Sequence, residues 1–343
     1  LINNKIMSTK KLLSIVIPSN NLASFLEQAL DSIILDKSFN NLIEICISDN
    51  RISDETNQLY KKKYSSLEFI TYKRSLETPS LDENAFEVSK LATGKYIWFF
   101  GDDDLLISGA LNKIVIFLRK TKPSIVILNS KSFYSKGQIQ EYRVPLKNNV
   151  FFDYKDNDKF LSTVGGYITY IPSILINREL WLKNYSKSKQ GTFFAHVDAV
   201  LKAKVENSAY FFSDPVINMR VNSQTWTQKH FEIWNFFYPK VIWSVKGYAD
   251  QAKEKIIPKE PLKMIKRYLS SRAWSRYDLQ AWKGYILPHD DLSFSIKFSS
   301  LLICLIPVFF LKEFYLAYVF LFRKTQTLYF CPNLARAQLR KRN

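Results

Sequence analysis

Three carboxylates in a row, Asp102-Asp103-Asp104, follow the apolar stretch Tyr96-Ile-Trp-Phe-Phe100 and a single glycine, Gly101. Like charges this close repel one another, and a divalent cation relieves the repulsion. Mg²⁺ and Mn²⁺ take hard oxygen ligands and commonly share one or two carboxylates with substrate phosphates. The run Asp102-Asp103-Asp104 therefore points to a divalent metal, Mn²⁺ or Mg²⁺, beside a phosphorylated substrate. A solvated turn is the plain alternative, with Asp104 capping the helix that follows. The preceding stretch weighs against it, because a strand so apolar is buried on both faces and its end opens on the ligand edge of a sheet.

The elements that must position this run alternate in type. Strand patterns cover Leu13–Pro18, Ile43–Asp49, Leu67–Tyr72, Tyr96–Phe100 and Ser124–Leu128. Helical spacing covers Leu22–Ile34, Ser53–Tyr60, Leu81–Leu91 and Ser108–Lys120. Such alternation predicts an α/β fold: a Rossmann-like, mainly parallel, doubly wound sheet with flanking helices. Ligands of such sheets sit at the C-terminal ends of the strands. Pro18–Asn20, Asp49–Asn50 and Gly101–Asp104 thus converge on one edge, and three polar clusters there say more than any one alone. Lys73 and Arg74 follow the third strand and read as a solvated pair, with phosphate as their other use. Further on, 131–160 reads as loops and small strands, Ile171–Ile176 as a strand and Ala199–Val205 as a helix. Asp214-Pro215 is the expected boundary between a catalytic domain, 1–215, and a basic, aromatic-rich helical region, 216–343.

Four segments resemble, in order and spacing, the family-2 glycosyltransferases of the GT-A fold: Ser14-Ile-Val-Ile-Pro-Ser-Asn20, Glu44-Ile-Cys-Ile-Ser-Asp-Asn50, Asn84 with Gly94-Lys-Tyr96, and Gly101-Asp-Asp-Asp104. The resemblance covers roughly residues 11–205, and in detail it is most similar to bacterial O-antigen transferases of the abequosyltransferase type. It implies a nucleotide-diphosphate sugar donor, a UDP- or CDP-sugar. Pro18, Ser19, Asn20, Asp49 and Asn50 would then surround the nucleotide, with Asn84 contacting it or supporting its loop. Asp102 would reach the ribose or the diphosphate, and Asp103 would hold the metal directly, with Asp104 as the second candidate ligand. The commonest family pattern has Asp where Gly101 stands, so the split of roles within the run is shifted here. A sugar hydroxyl is a weak nucleophile until a base takes its proton. The family places that base, an Asp, at the start of a late helix. Asp198 matches the place, with charge pairing at a helix N-terminus as its bland use; His196, two residues earlier, is the alternative. Inversion at the anomeric carbon follows from the resemblance, as does a role in bacterial surface polysaccharide synthesis.

The remaining composition bounds the partners. The chain has 343 residues, 47% of them apolar, which is enough for a proper core. Only nine glycines are present, which disfavours a Gly-rich phosphate loop. Cys46, Cys304 and Cys331 are far apart and odd in number, so neither a disulfide framework nor a zinc site is expected, as suits a reducing compartment. Residues 1–10 read as a frayed lead-in without a secretory signal. The net charge of +18 lies mainly beyond residue 216, with 21 Lys and Arg there against 8 Asp and Glu. Nucleic acid is not the expected partner, because no nucleic-acid motif accompanies the charge. The apolar run 298–322, broken by Pro307 and Lys312-Glu313, is too short between charges to span a bilayer of about 20 helical residues. It reads as an interfacial segment on an anionic membrane surface, with Lys263, Lys266, Arg267, Arg272 and Arg276 beside it. The expected location is the cytoplasmic face of the bacterial inner membrane, with a polyprenyl-diphosphate-linked glycan as acceptor. A buried hairpin and a homo-oligomer interface are the other uses of the run. The competing functions are a non-catalytic glycan or nucleotide binder and a nucleotidyltransferase.

Overall fold

Strand β1 (Leu13–Ser19) is buried at every residue and pairs in parallel with both β2 (Ile43–Asp49) and β4 (Tyr96–Phe99). Those neighbours are buried throughout as well. Their near-continuous apolar runs have no alternation because helices cover both sheet faces. The computed structural model describes residues 11–322 apart from 21, 38, 78–79, 134–140 and 222–228. Cys331, the lead-in 1–10 and the basic tail to Arg342 lie outside the described residues.

The sheet continues with β3 (Ile70–Arg74), β5 (Leu105–Leu106), β6 (Ile125–Phe133), β7 (Glu141–Tyr142), β8 (Val150–Phe152), β9 (Ile174–Asn177) and β10 (Ala209–Arg220). Its order is β3-β2-β1-β4-β9-β6-β10-β5, with β7 beside β6 and β8 beside β10. The half from β3 to β4 is parallel, as is the β6–β10 pair. Strand β9 is antiparallel to both β4 and β6, so it joins the parallel halves. Helices α1 (Ala23–Ile34), α2 (Glu55–Leu59), α3 (Leu81–Leu91) and α4 (Ala110–Thr121) follow the spacing read from sequence. Helix α3 starts where it does because Ser80 and Glu83 form a reciprocal capping box. Three shorter-range surprises follow: α5 (Asn157–Val164), α6 (Arg178–Asn184) and an early start for α7 (Ala195–Glu206), which takes His196 and Asp198 into its first turn.

The chain contacts define two units, residues 1–223 with 240–256, and residues 224–239 with 257–343. Strand β10 runs through Asp214-Pro215, and its pairing with β6 is irregular around Pro215. A bulge is where a strand tolerates a proline. Residues 240–256 join the first unit through bonds such as Tyr248 OH to the Leu201 carbonyl, 2.8 Å, and Ala249 N to Asp158 Oδ1, 2.8 Å. The second unit has its own core, including Phe231, Tyr268, Tyr277, Ile286 and Ile303. Three of the cations expected to face a membrane are used inside this unit instead. Arg267 is buried and donates to Asn235 Oδ1 and the Trp234 carbonyl. Arg272 donates to the carbonyls of Ile306 and Tyr277, and Arg276 meets His230 Nε2 at 2.6 Å. Lys263 pairs with Glu260, and Lys266 is exposed. Among the described residues no single helix is long and apolar enough to cross a membrane; Phe294–Leu305 and Val308–Phe314 are bent by 99° at the break between them.

At the N-terminal end of the parallel half, the buried carboxylate of Glu44 accepts from Ser14 Oγ at 2.6 Å, Thr93 N at 2.6 Å and Gly94 N at 3.2 Å. This knot ties the start of β4 to β1 and β2. A Cβ on Gly94 would lie 2.7 Å from Ser14 Oγ and 2.9 Å from Ser14 N, so backbone would have to move. Gly94→Ala is expected to cost roughly 1–3 kcal/mol by overpacking. Its thermal midpoint should fall, while turnover measured well below that midpoint stays at the wild-type level, because the knot is at the far end of the strands from the site.

Candidate active site

Parallel pairing brings the C-terminal ends of β1, β2 and β4 to one edge, with Ser19 opposite Asp49. There the carboxylate Oδ2 of Asp102 accepts from Ser19 Oγ at 3.0 Å and from Asn20 N at 2.8 Å. The Ser19 carbonyl in turn accepts from Asn50 N at 3.1 Å and from Asn84 Nδ2 at 3.2 Å. Five of the residues read from sequence, Ser19, Asn20, Asn50, Asn84 and Asp102, are therefore in one hydrogen-bonded cluster, and Pro18 is the strand residue leading into it. Asn84 Oδ1 is buried with no donor among the described residues, which leaves an acceptor available to a ligand. Asp49 is fully buried; its carboxylate accepts from Tyr72 OH at 2.7 Å and Arg51 N at 3.0 Å. Burial raises its pKa despite those donors. Lys73 pairs with Glu87 and Arg74 with Asp54, so both are engaged within the protein.

The three carboxylates of the run are placed very differently. Asp102 and Asp104 are buried, and Asp103 is half-buried. Asp104 turns back into the protein: Oδ2 accepts from Tyr170 OH, and Oδ1 from Arg220 N at 3.0 Å. Burial, and then the charge of Asp103, push its pKa well above the usual carboxylate range. Both oxygens of Asp104 are thus engaged within the protein, which agrees with a structural part for it beside Asp103. The departure at Gly101 has the same cause, since a Cβ there would lie 2.3 Å from Asp104 Oδ2 and 3.2 Å from Asp103 Oδ1. Glycine makes the space into which the Asp104 carboxylate folds. Among the described residues no group of three or more His, Cys, Asp or Glu is arranged to hold a metal alone. The run does fit a cation that takes one or two carboxylates and completes its shell from substrate phosphate and water. Asp103, with Asp102 beside it, is the part of the run that suits it.

Asp198 and His196 occupy the first turn of α7, and their surroundings separate them. His196 is buried beside the backbone of Ile168 and Thr169, neither of its ring nitrogens has a hydrogen-bond partner among the described residues, and burial lowers its pKa to about 4. Asp198 is also buried; its Oδ2 accepts from Lys202 Nζ at 2.6 Å, while Oδ1 has no donor among the described residues. The turn ahead of α7 is held by a residue that sequence reasoning missed. Asp82, in the first turn of α3, is 1% exposed and accepts from Phe193 N at 2.8 Å and Ala195 N at 3.1 Å. Phe193 sits at φ +65°, a left-handed conformation disfavoured for a bulky residue, and the Asp82 carboxylate supplies the bonds that keep it there. Tyr170 and Arg220 were missed as well. Arg220 donates from Nε to the Asp103 carbonyl at 2.8 Å and lies over the rings of Phe25 and Phe133, so it fixes the acidic run from the other side. The only sequence signal for Asp82 was its position two residues before Asn84; for Tyr170 and Arg220 there was none, because both act across long separations.

Residues 14–176 match the model for glycosyl transferase family 2. The chain is similar to abequosyltransferase RfbV of Salmonella typhimurium, 28% identical over 235 residues that make up 64% of this chain and 69% of that one. It is 31% identical over 106 residues to the GalNAc(5)-diNAcBac-PP-undecaprenol beta-1,3-glucosyltransferase of Campylobacter jejuni, covering 30% of this chain and 33% of the relative. Among solved structures it shares its fold with the mannosyltransferase PcManGT of Pyrobaculum calidifontis, in complex with GDP-Man and Mn²⁺. The TM-score is 0.55 at 15% identity, over 96% of this chain and 87% of that one.

Burial raises the pKa of Asp82 from 3.8 to about 6. The folded state then binds more protons than the unfolded one between those values, so this group's stabilisation is present below the lower value and is lost as pH rises through the upper. The loss is on the order of 3 kcal/mol. Asp82→Asn does not titrate. Thermal midpoints of the two proteins, compared from pH 4 to pH 7, should shift in favour of the variant as pH rises. A pH-independent difference would show that Asp82 ionises normally.

Proposed function

We infer the reaction from the match of residues 14–176 to the model for glycosyl transferase family 2. The protein moves a sugar from a nucleoside-diphosphate donor to a hydroxyl of an acceptor glycan. The observation that carries the donor assignment is the cluster at the ends of β1, β2 and β4, where Asp102, Ser19 and Asn84 converge and Asn84 keeps an open acceptor. A nucleoside offers the donors and acceptors such a cluster recognises, and Asp103 lies next to it at the end of the same run. A divalent cation on Asp103 would neutralise charge on the departing diphosphate; the Mn²⁺ bound by the mannosyltransferase PcManGT supports this reading. UDP and CDP remain the first donors to try.

Asp198 is the base we favour. A base must have a lone pair free toward the acceptor and a pKa suited to holding the proton. Asp198 Oδ1 has no donor among the described residues. His196 is buried two residues earlier with both ring nitrogens open among the described residues, and burial disfavours the imidazolium it would form. It is the alternative base, and Asp198 is preferred for its place at the start of α7. The acceptor hydroxyl gives its proton to Asp198 as its oxygen bonds the anomeric carbon, and the bond to the diphosphate oxygen breaks. One such displacement inverts the anomeric configuration, as the family resemblance implies. A lipid-linked acceptor, of the polyprenyl-diphosphate kind, is supported by the name of the Campylobacter relative. Assembly of a bacterial surface polysaccharide or O-antigen is the setting that this reading fits.

A thermal-shift series with UDP, CDP and GDP, each with and without Mn²⁺, tests the donor site. At least one nucleotide should raise the midpoint more with the metal than without it, and Asp103→Ala should abolish that difference. If no nucleotide stabilises the protein in a metal-dependent way, the donor assignment fails. With a donor in hand, Asp198→Asn should lower kcat by about 10²-fold or more with little change in donor KM. His196→Gln should stay within roughly tenfold of wild type on the same reasoning. The reverse order of effects would move the base to His196.

A further inference from the structure

The second unit carries an apolar face that its own core leaves uncovered. On the helix Phe294–Leu305, Ser300, Ile303 and Cys304 pack inward, whereas Phe294, Phe298, Leu302 and Leu305 form a stripe at helical spacing on the opposite side. Phe294 is 81% exposed and Leu305 66%. After the break the pattern resumes with Phe309, Phe310 and Phe314, between 65% and 73% exposed. The rings of Phe294 and Phe298 are stacked, with centroids 6.0 Å apart. Isolated exposed apolar residues are ordinary, but a continuous aromatic stripe marks an interaction surface.

We propose that the bent helix pair from Phe294 to Phe314 seats its exposed phenylalanine face in an anionic lipid surface, as a shallow wedge that does not span the bilayer. The geometry excludes a simple span. The first helix has 12 residues and turns by 99° into the second, giving a reach of about 18 Å against a hydrocarbon core of about 30 Å. A helix lying in the interface needs an apolar face and nearby cations, not length. The cations lie in the sequence beyond the stripe. Lys297 donates to the Leu287 carbonyl at 2.8 Å and Lys312 is followed by Glu313, whereas the chain after Phe322 continues with Arg323 and Lys324 and holds six Lys and Arg with no Asp or Glu through Asn343. Like charge on that scale opposes pairing of two copies through this face and attracts anionic headgroups. The interior arginines Arg267, Arg272 and Arg276 take no part; they hold the unit together so that the stripe stays outward.

The test is flotation of the full-length protein with vesicles of phosphatidylcholine alone and of phosphatidylcholine with phosphatidylglycerol. Wild type should float with the anionic vesicles, less at high salt, and weakly or not at all with phosphatidylcholine alone. Phe298→Glu combined with Phe309→Glu should weaken binding by about tenfold or more, with unchanged circular dichroism. Phe294→Ser combined with Phe310→Ser, both at exposed positions, gives the same answer if the charged variant fails to fold. Wild type that does not float, or folded variants that float as well as wild type, would overturn the proposal. So would concentration-dependent dimers abolished by these variants without flotation, which would assign the face to a second copy of the chain. None of these readouts depends on the identity of the donor or acceptor.

Discussion

The hydrogen bonds that Asp102 accepts from Ser19 Oγ and Asn20 N hold the end of β4 against the end of β1. Two parallel strands otherwise part company where their ladder stops, and the loops beyond them are free to diverge. One carboxylate oxygen closes that gap, and everything else at the edge is referred to it. The Ser19 carbonyl, fixed by the same clamp, takes Asn50 N and Asn84 Nδ2. The next residue after Asp102 is left half-buried at the mouth, and the one after that is turned inward onto Tyr170 and Arg220. Three adjacent residues of one type thus have three environments. Charge crowding is relieved in part inside the protein, since burial favours the neutral form of Asp104.

Helix α3 transmits this order to the other side of the site. Its first turn presents Asn84 to β1 and Asp82 to the turn before α7, so two side chains two residues apart connect the nucleotide edge with the helix that carries Asp198. A second connection runs through the segment before β9. Tyr170 reaches Asp104, His196 lies beside the backbone of Ile168 and Thr169, and Trp98 Nε1 bonds the Pro172 carbonyl at 3.0 Å. Buried polar networks of this kind are costly if incomplete. The open atoms among them, which include Asn84 Oδ1, Asp198 Oδ1 and both ring nitrogens of His196, are accordingly the informative ones.

The second unit shows why charge counted along a sequence is a poor guide to a surface. A helix rich in Lys and Arg looked like a face for anionic lipid, yet guanidinium groups have several donors and satisfy carbonyls at helix ends and breaks. Arg272 does this at Ile306, next to the bend. The apolar residues, in contrast, were read as a broken run, and on both helices of the bent pair phenylalanines are exposed: Phe294 and Phe298 before the break, Phe309, Phe310 and Phe314 after it.

By itself, the sequence determined the alternating α/β layout, the all-buried strands β1, β2 and β4, and the convergence of Pro18–Asn20, Asp49–Asn50 and the acidic run on one edge. These follow from periodicity and from the rule that parallel strands end together, which are local or nearly local properties. It also determined that α3 begins at Leu81, since the capping box is written in Ser80 and Glu83. Tertiary structure alone decided which carboxylates of the run are buried, which is half-exposed, and what fills the space beside Gly101. It also decided that Asp82 holds the turn before α7, and that β10 carries the chain past Asp214-Pro215. Each of these depends on burial and on donors far away in the chain: Tyr170, Arg220 and the backbone of Phe193 and Ala195. Desolvation and long-range hydrogen bonding are set by the folded environment, and residue type and spacing do not encode them.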